Sequence, residues 1–149
     1  VRQLILAESL KRRVVVHNLK ASSAAAAAIV EAGFGQGGII HAFSGSMEEA
    51  SAFVRLGFKI GIGSLLLNPS ARKIRKVVQA LDLCDMVLET DSPFMLKNEV
   101  NTPANVRRIA ETVAQLRGIA VEEVAVQTER NADGLLEYRK GLPDEPELI

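Results

Sequence analysis

Two histidines and one aspartate close apolar runs in this chain, and their types and placing suit metal chemistry. His17 closes Arg13 to His17 (RVVVH), His41 lies within Gly37 to Phe43 (GGIIHAF) just after its isoleucines, and Asp91 closes Asp85 to Asp91 (DMVLETD). The sequence holds no other histidine. Neutral imidazoles and an ionised carboxylate are donors for a divalent cation, and two His with one carboxylate leave positions open for water and substrate. One histidine at a strand end is commonly a hydrogen-bonded core residue. Two of them with a carboxylate, at equivalent places in successive units, point instead to a metal centre. His17, His41 and Asp91 are therefore the expected ligands.

Two neighbours join this set. Glu89 lies two residues before Asp91, which on a strand puts it on the same face, one layer deeper. A carboxylate there needs a cation or hydrogen-bond donors. It either supports the metal ligands from behind or pairs with a basic residue such as Lys59. The segment His41-Ala42-Phe43-Ser44-Gly45-Ser46 runs into a helix start, where free N–H groups and the helix dipole favour an anion. Ser46 is engaged by a capping box with Glu49, so Ser44 is the expected substrate contact.

These residues need elements to carry them. Besides the three runs above, Phe58 to Gly63 (FKIGIG) is a fourth short apolar stretch. Most lack polar alternation, as strands of a parallel sheet covered on both faces do. Helical spacing fills the gaps: Ala50, Phe53, Val54 and Gly57; Ile74, Val77, Val78 and Leu81; Val106, Ile109, Ala110 and Val113. Ser22 to Ala32 is an Ala-rich helix ending at Gly33. Asn68-Pro69 and Thr102-Pro103 each set a cap residue before a proline at a helix start. Val121 to Glu137 is expected as one or two closing helices, and residues 139–149 as a frayed tail beyond a single unit of residues 1–138. The order is a leading helix and then strand–helix four times, an α/β pattern shared by doubly wound sheets and (βα) barrels. Their sites lie at the carboxyl ends of the strands, where His17, His41 and Asp91 fall.

Composition excludes several classes. At 149 residues, 48% hydrophobic and 24% charged, this is ordinary globular material. Eighteen basic residues balance eighteen acidic ones, so no global basic field marks a nucleic-acid binder. The clusters Arg72, Lys73, Arg75, Lys76 and Arg107, Arg108 read as solvated helix faces, since base-stacking aromatics are scarce. A single cysteine, Cys84, excludes a disulfide framework and fits a reducing compartment, with no His or Asn near it in sequence to make it a nucleophile. No apolar run reaches the ~18–20 residues that span a bilayer, and no membrane partner is expected. A cytoplasmic location is. Neither dinucleotide nor P-loop glycine motifs follow a strand, and Gly61-Ile62-Gly63 lacks the next glycine. The opening Val-Arg-Gln-Leu-Ile-Leu has no initiator Met and reads as entered partway along a helix.

Taken together, VVVH, HAFSGSMEEASAFVRLGFKIGIG, LETDSPF, NTPANVRRIAETVAQLRG and TERNADGLL resemble the TatD-type metal-dependent deoxyribonuclease family. That resemblance implies a TIM-type eight-stranded (βα) barrel of the amidohydrolase kind. It also implies hydrolysis of DNA phosphodiester bonds or, in some members, of other ester or tRNA-linked substrates. By the same resemblance His17 and His41 match the ligands ending strands five and six. Asp91 matches the strand-eight aspartate that binds metal and takes a proton from the attacking water. The cofactor implied is Mg²⁺, Mn²⁺ or Zn²⁺. The family's His-x-His pair on strand one and glutamate on strand four have no counterpart here, so the match is to the C-terminal half of the barrel. A complete barrel takes ~250 residues. The expected function is a DNA-cleaving hydrolase present as a partial chain. The alternatives are another ester or aminoacyl-tRNA hydrolase and a catalytically silent half-barrel. DNA is the expected substrate, with self-association or a complementary half-barrel chain as the expected partner.

Overall fold

Each apolar run folds as a strand. β1 (Val14–His17), β2 (Gly38–His41), β3 (Phe58–Ile62) and β4 (Met86–Leu88) form one parallel sheet in that order. The computed structural model describes residues 1–96 and 98–136. The expected tail at 139–149 lies outside them. Parallel neighbours need long crossovers, and helices supply them. α2 (Ser22–Glu31), α3 (Met47–Arg55) and α4 (Arg72–Ala80) link successive strands, while α1 (Arg2–Ser9) precedes the sheet. α5 (Val106–Arg117) and α6 (Val121–Leu136) follow β4. α6 is one continuous helix rather than two.

Register sorts the side chains onto two faces. Ile40, Ile60, Ile62 and Met86 are fully buried with Phe53, Phe58, Val77, Val78 and Ile109 in the cluster that joins sheet to helices. Each such side chain removed from water contributes roughly 1.5–3 kcal/mol. On the opposite face, Val15 pairs with Ile39, Ile39 with Lys59, and Gly61 with Val87. From the sequence, Val15, Ile39, Ile60 and Val87 are expected to face a barrel interior; the register keeps three of them in this row and moves Ile60 under the helices. Lys59 and Gly61 stand in its place. β1 alternates half-buried and exposed residues, with Val15 67% exposed, because it is an outer strand and its inner face is open.

Gly38 lets β1 and β2 approach. A Cβ there would lie 1.8 Å from the Val14 carbonyl oxygen, and its φ of +150° suits glycine alone. At the amino ends of the strands, Lys59 Nζ lies 3.2 Å from Asp85 Oδ1. α6 crosses there: Asn131 Nδ2 donates to the Leu83 and Met86 carbonyls, and the Arg13 guanidinium donates to the Gly134 carbonyl. That helix therefore closes the end of the sheet away from the histidines.

Helix starts follow the sequence unevenly. Ser46 and Glu49 form the expected reciprocal box. Thr102 precedes a 3₁₀ turn with Pro103 in its first positions, but its side chain makes no capping bond. Asn68 caps a turn through Ser70 instead, and α4 starts only at Arg72.

Candidate metal centre

Parallel register brings the histidines together. His17 pairs with His41 across β1 and β2, so both rings leave the sheet on the same face, with centroids 5.5 Å apart. β4 stops at Leu88, earlier than the run to Asp91 suggested. Glu89 donates its amide to the Ile62 carbonyl, and Asp91 follows in a turn with φ +54°. Asp91 therefore stands beyond the strand's end rather than on it.

His41 is the hub. Its Nδ1 lies 2.9 Å from Glu89 Oε2, while the other Glu89 oxygen accepts from the Ala42 amide. A carboxylate on Nδ1 holds the proton there and leaves the Nε2 lone pair free, the arrangement used by metal-ligating histidines. His41 Nε2 faces Asp91 Oδ2 at 3.6 Å. That is too long for a hydrogen bond. Two donors each ~2.0–2.2 Å from a shared cation stand roughly 3–3.6 Å apart, so the spacing fits two ligands of one metal. Burial alone disfavours the imidazolium, but hydrogen bonding and charge from Glu89, with Asp91 beyond, outweigh it and raise the His41 pKa.

Among the described residues, no three His, Cys, Asp or Glu side chains converge tightly enough to hold an ion. The structure thus brings together His41, Glu89 and Asp91, and sets His17 beside them, exposed on the outer strand. Lys59 is not Glu89's partner, since it pairs with Asp85 at the far end. Ser44 is exposed in the β2–α3 loop and takes part in no hydrogen bond among the described residues. The basic clusters behave as solvated faces except at Arg75, which is half-buried and donates to the Leu66 carbonyl. Arg107 pairs with Glu111 and Arg108 with Glu99, and Arg72, Lys73 and Lys76 are exposed opposite buried Ile74, Val77 and Val78. Cys84 is exposed.

Two contributors escaped the sequence. A Cβ on Gly61 would sit 2.9 Å from the Glu89 carboxyl carbon and 2.9 Å from the Ile40 carbonyl oxygen. The glycine is the room in which Glu89 reaches His41. Its signal in the sequence is the Gly61-Ile62-Gly63 stretch, two glycines at a strand end. Asn101 is 2% exposed and bonded to the loop that carries Asp91. In sequence it is one loop asparagine before a Thr-Pro pair.

Residues 1–137 match the TatD-related DNase family. The chain belongs to that family. It is 34% identical over 127 residues to YjjV of Escherichia coli, named an uncharacterized metal-dependent hydrolase, covering 83% of this chain and 49% of that protein. Human deoxyribonuclease TATDN3 is 35% identical over 134 residues, 89% of this chain and 48% of its own length. The crystal structure of the TatD homologue YjjV superposes with a TM-score of 0.82 at 31% identity, covering 89% of this chain and 53% of that one. A TatD-family hydrolase from Entamoeba histolytica shares the fold at TM-score 0.77 and 18% identity, covering 90% and 54%. The chain spans about half the length of the curated relatives it matches. Its four parallel strands correspond to half of a TIM-type TatD barrel.

Proposed function

We propose that this chain supplies the C-terminal half of the active site of a TatD-type metal-dependent hydrolase that cleaves DNA phosphodiester bonds. The observation carrying this reading is His41, locked by Glu89 at Nδ1 and facing Asp91 across 3.6 Å at Nε2. His41 Nε2 and Asp91 Oδ2 would hold the cation, with His17 completing this half's share. A bound Mg²⁺, Mn²⁺ or Zn²⁺ supplies polarisation of a phosphoryl oxygen and a lowered pKa for water. Imidazole donors suit Zn²⁺, and a carboxylate accepts any of the three.

The chain's own groups do the rest. Glu89 fixes the His41 tautomer and ring plane. Asp91, 43% exposed at its side chain, has an oxygen free to take a proton from attacking water. Ser44, at the loop entering α3, offers a hydroxyl to a phosphate oxygen. A cytoplasmic setting belongs to the same reading. No helix among the described residues is long and apolar enough to cross a membrane.

The test is hydrolysis of a fluorescent oligonucleotide by protein in which the complementary barrel half is present, with each cation in turn and a chelator control. Metal-dependent DNA cleavage lost in Asp91→Asn, by roughly 10²–10⁴-fold, is the expected result. Turnover of ester or aminoacyl-tRNA substrates alone would move the activity to another hydrolase. Neither turnover nor metal uptake would make the chain a structural half-barrel.

A further inference from the structure

The Asp91 turn is held from beneath by a buried hydrogen-bond knot centred on Asn101, with Ser64 beside it. We propose that Asn101 is a positioning residue that aims the Asp91 carboxylate at His41, an inference resting on the reading of Asp91 as metal ligand.

Asn101 lies on the loop between β4 and α5 and is 2% exposed. The two hydrogens of its Nδ2 serve the Thr90 carbonyl and the Phe94 carbonyl at 2.7 Å, with Ser64 Oγ at 3.1 Å sharing one of them while donating to the Thr90 carbonyl itself. Its backbone amide donates to the Pro93 carbonyl at 3.1 Å. Thr90 precedes Asp91, and Pro93 and Phe94 follow it. One residue therefore ties down both ends of the turn, which the Phe94 amide closes on the Asp91 carbonyl at 3.0 Å. The Asn101 oxygen is itself fixed by Asn105 Nδ2 at 2.9 Å.

Asp91 needs such a clamp. Its φ of +54° is left-handed, a region that Asp enters more readily than most residues but still at a cost in free energy, which the hydrogen bonds of the turn offset. With φ released, the carboxylate would swing off the line to His41 Nε2. Only an amide side chain serves here. A carboxylate at 101 would face two carbonyl oxygens, and an alanine would take the side-chain donor from the Phe94 carbonyl and leave the Thr90 carbonyl to Ser64 Oγ alone.

The experiment compares the full 149-residue chain with Asn101→Ala and Asp91→Asn, by amide hydrogen exchange and by Mn²⁺ binding followed by electron paramagnetic resonance. Asn101→Ala is expected to speed exchange at the Phe94 amide about tenfold or more while β2 and β3 amides hold. It should lower Mn²⁺ affinity about 10–100-fold, close to the effect of Asp91→Asn. Unchanged Phe94 exchange, or acceleration spread evenly through the sheet, overturns the proposal. So does a loosened turn with full Mn²⁺ affinity where Asp91→Asn loses it, which would mark a structural clamp only. If Asp91→Asn leaves Mn²⁺ binding intact, the metal reading fails and the Phe94 amide alone decides the role of Asn101. Should Asn101→Ala not fold, Ser64→Ala removes one strut of the same knot. Faster Phe94 exchange in that variant supports the proposal, and none counts against it.

Discussion

At the residue scale, the site depends on a carboxylate fitted into space that a glycine leaves empty. Glu89→Ala should cost 10–100-fold in metal affinity, because the His41 ring loses the partner that orients it. Competition with a chromogenic chelator measures this. Gly61→Ala should do similar harm from the other side. Its new methyl meets Glu89 and the Ile40 carbonyl at 2.9 Å, so the carboxylate or the strand must shift. The expected destabilisation is about 1–3 kcal/mol by urea unfolding, typical of overpacking. His41 and Asp91 stand out in the sequence by type and by their place after apolar runs, and the structure sets them 3.6 Å apart. Gly61 and Asn101 were not, because their roles are a void and a tertiary hydrogen-bond knot, and neither leaves a periodic trace.

Elements show where local rules sufficed. Strand runs, helical spacing and the Ser46 box all act within a few residues, and the structure follows them. The face of β3 and the early end of β4 depend on register against neighbours, and there alternation misled. Ser46→Ala should cost about 1 kcal/mol, the usual value of a lost cap. A tertiary device ties α1 to the loop before β2. Glu8 accepts from the Gly35 amide, from Gln36 and from Lys11, and these bonds hold its pKa at about 2 against an ordinary 4.5. A carboxylate depressed in the folded state stabilises fully above its unfolded value and loses that contribution as pH falls toward the folded one. Wild type should therefore lose stability between about pH 4.5 and 2 more steeply than Glu8→Gln. Thermal melts across that window read the difference, and parallel curves would show that the clip contributes nothing.

At the scale of the whole molecule, the sheet is open at two edges. β1 and β4 are its outer strands, and no described strand pairs with their free sides. Beside β1, a cavity of about 490 Å³ is lined by Leu4, Val14, Val16 and Ile29, and α1 buries none of its residues. Beside β4, one of about 500 Å³ opens among Leu88, Val106, Ala110 and Val121. Unpaired backbone and apolar surface on both edges template pairing with another chain. The polypeptide on its own should thus sediment above its 16.1 kDa monomer mass at micromolar concentration. A cooperatively folding monomer would contradict that expectation. If one half of a shared metal site is built on this sheet, calorimetric titration of Zn²⁺ will detect it in the chain alone. Wild type should bind, and His17→Ala, His41→Ala and Asp91→Asn should each lower affinity about tenfold or more. Equal binding by all four proteins would contradict the account.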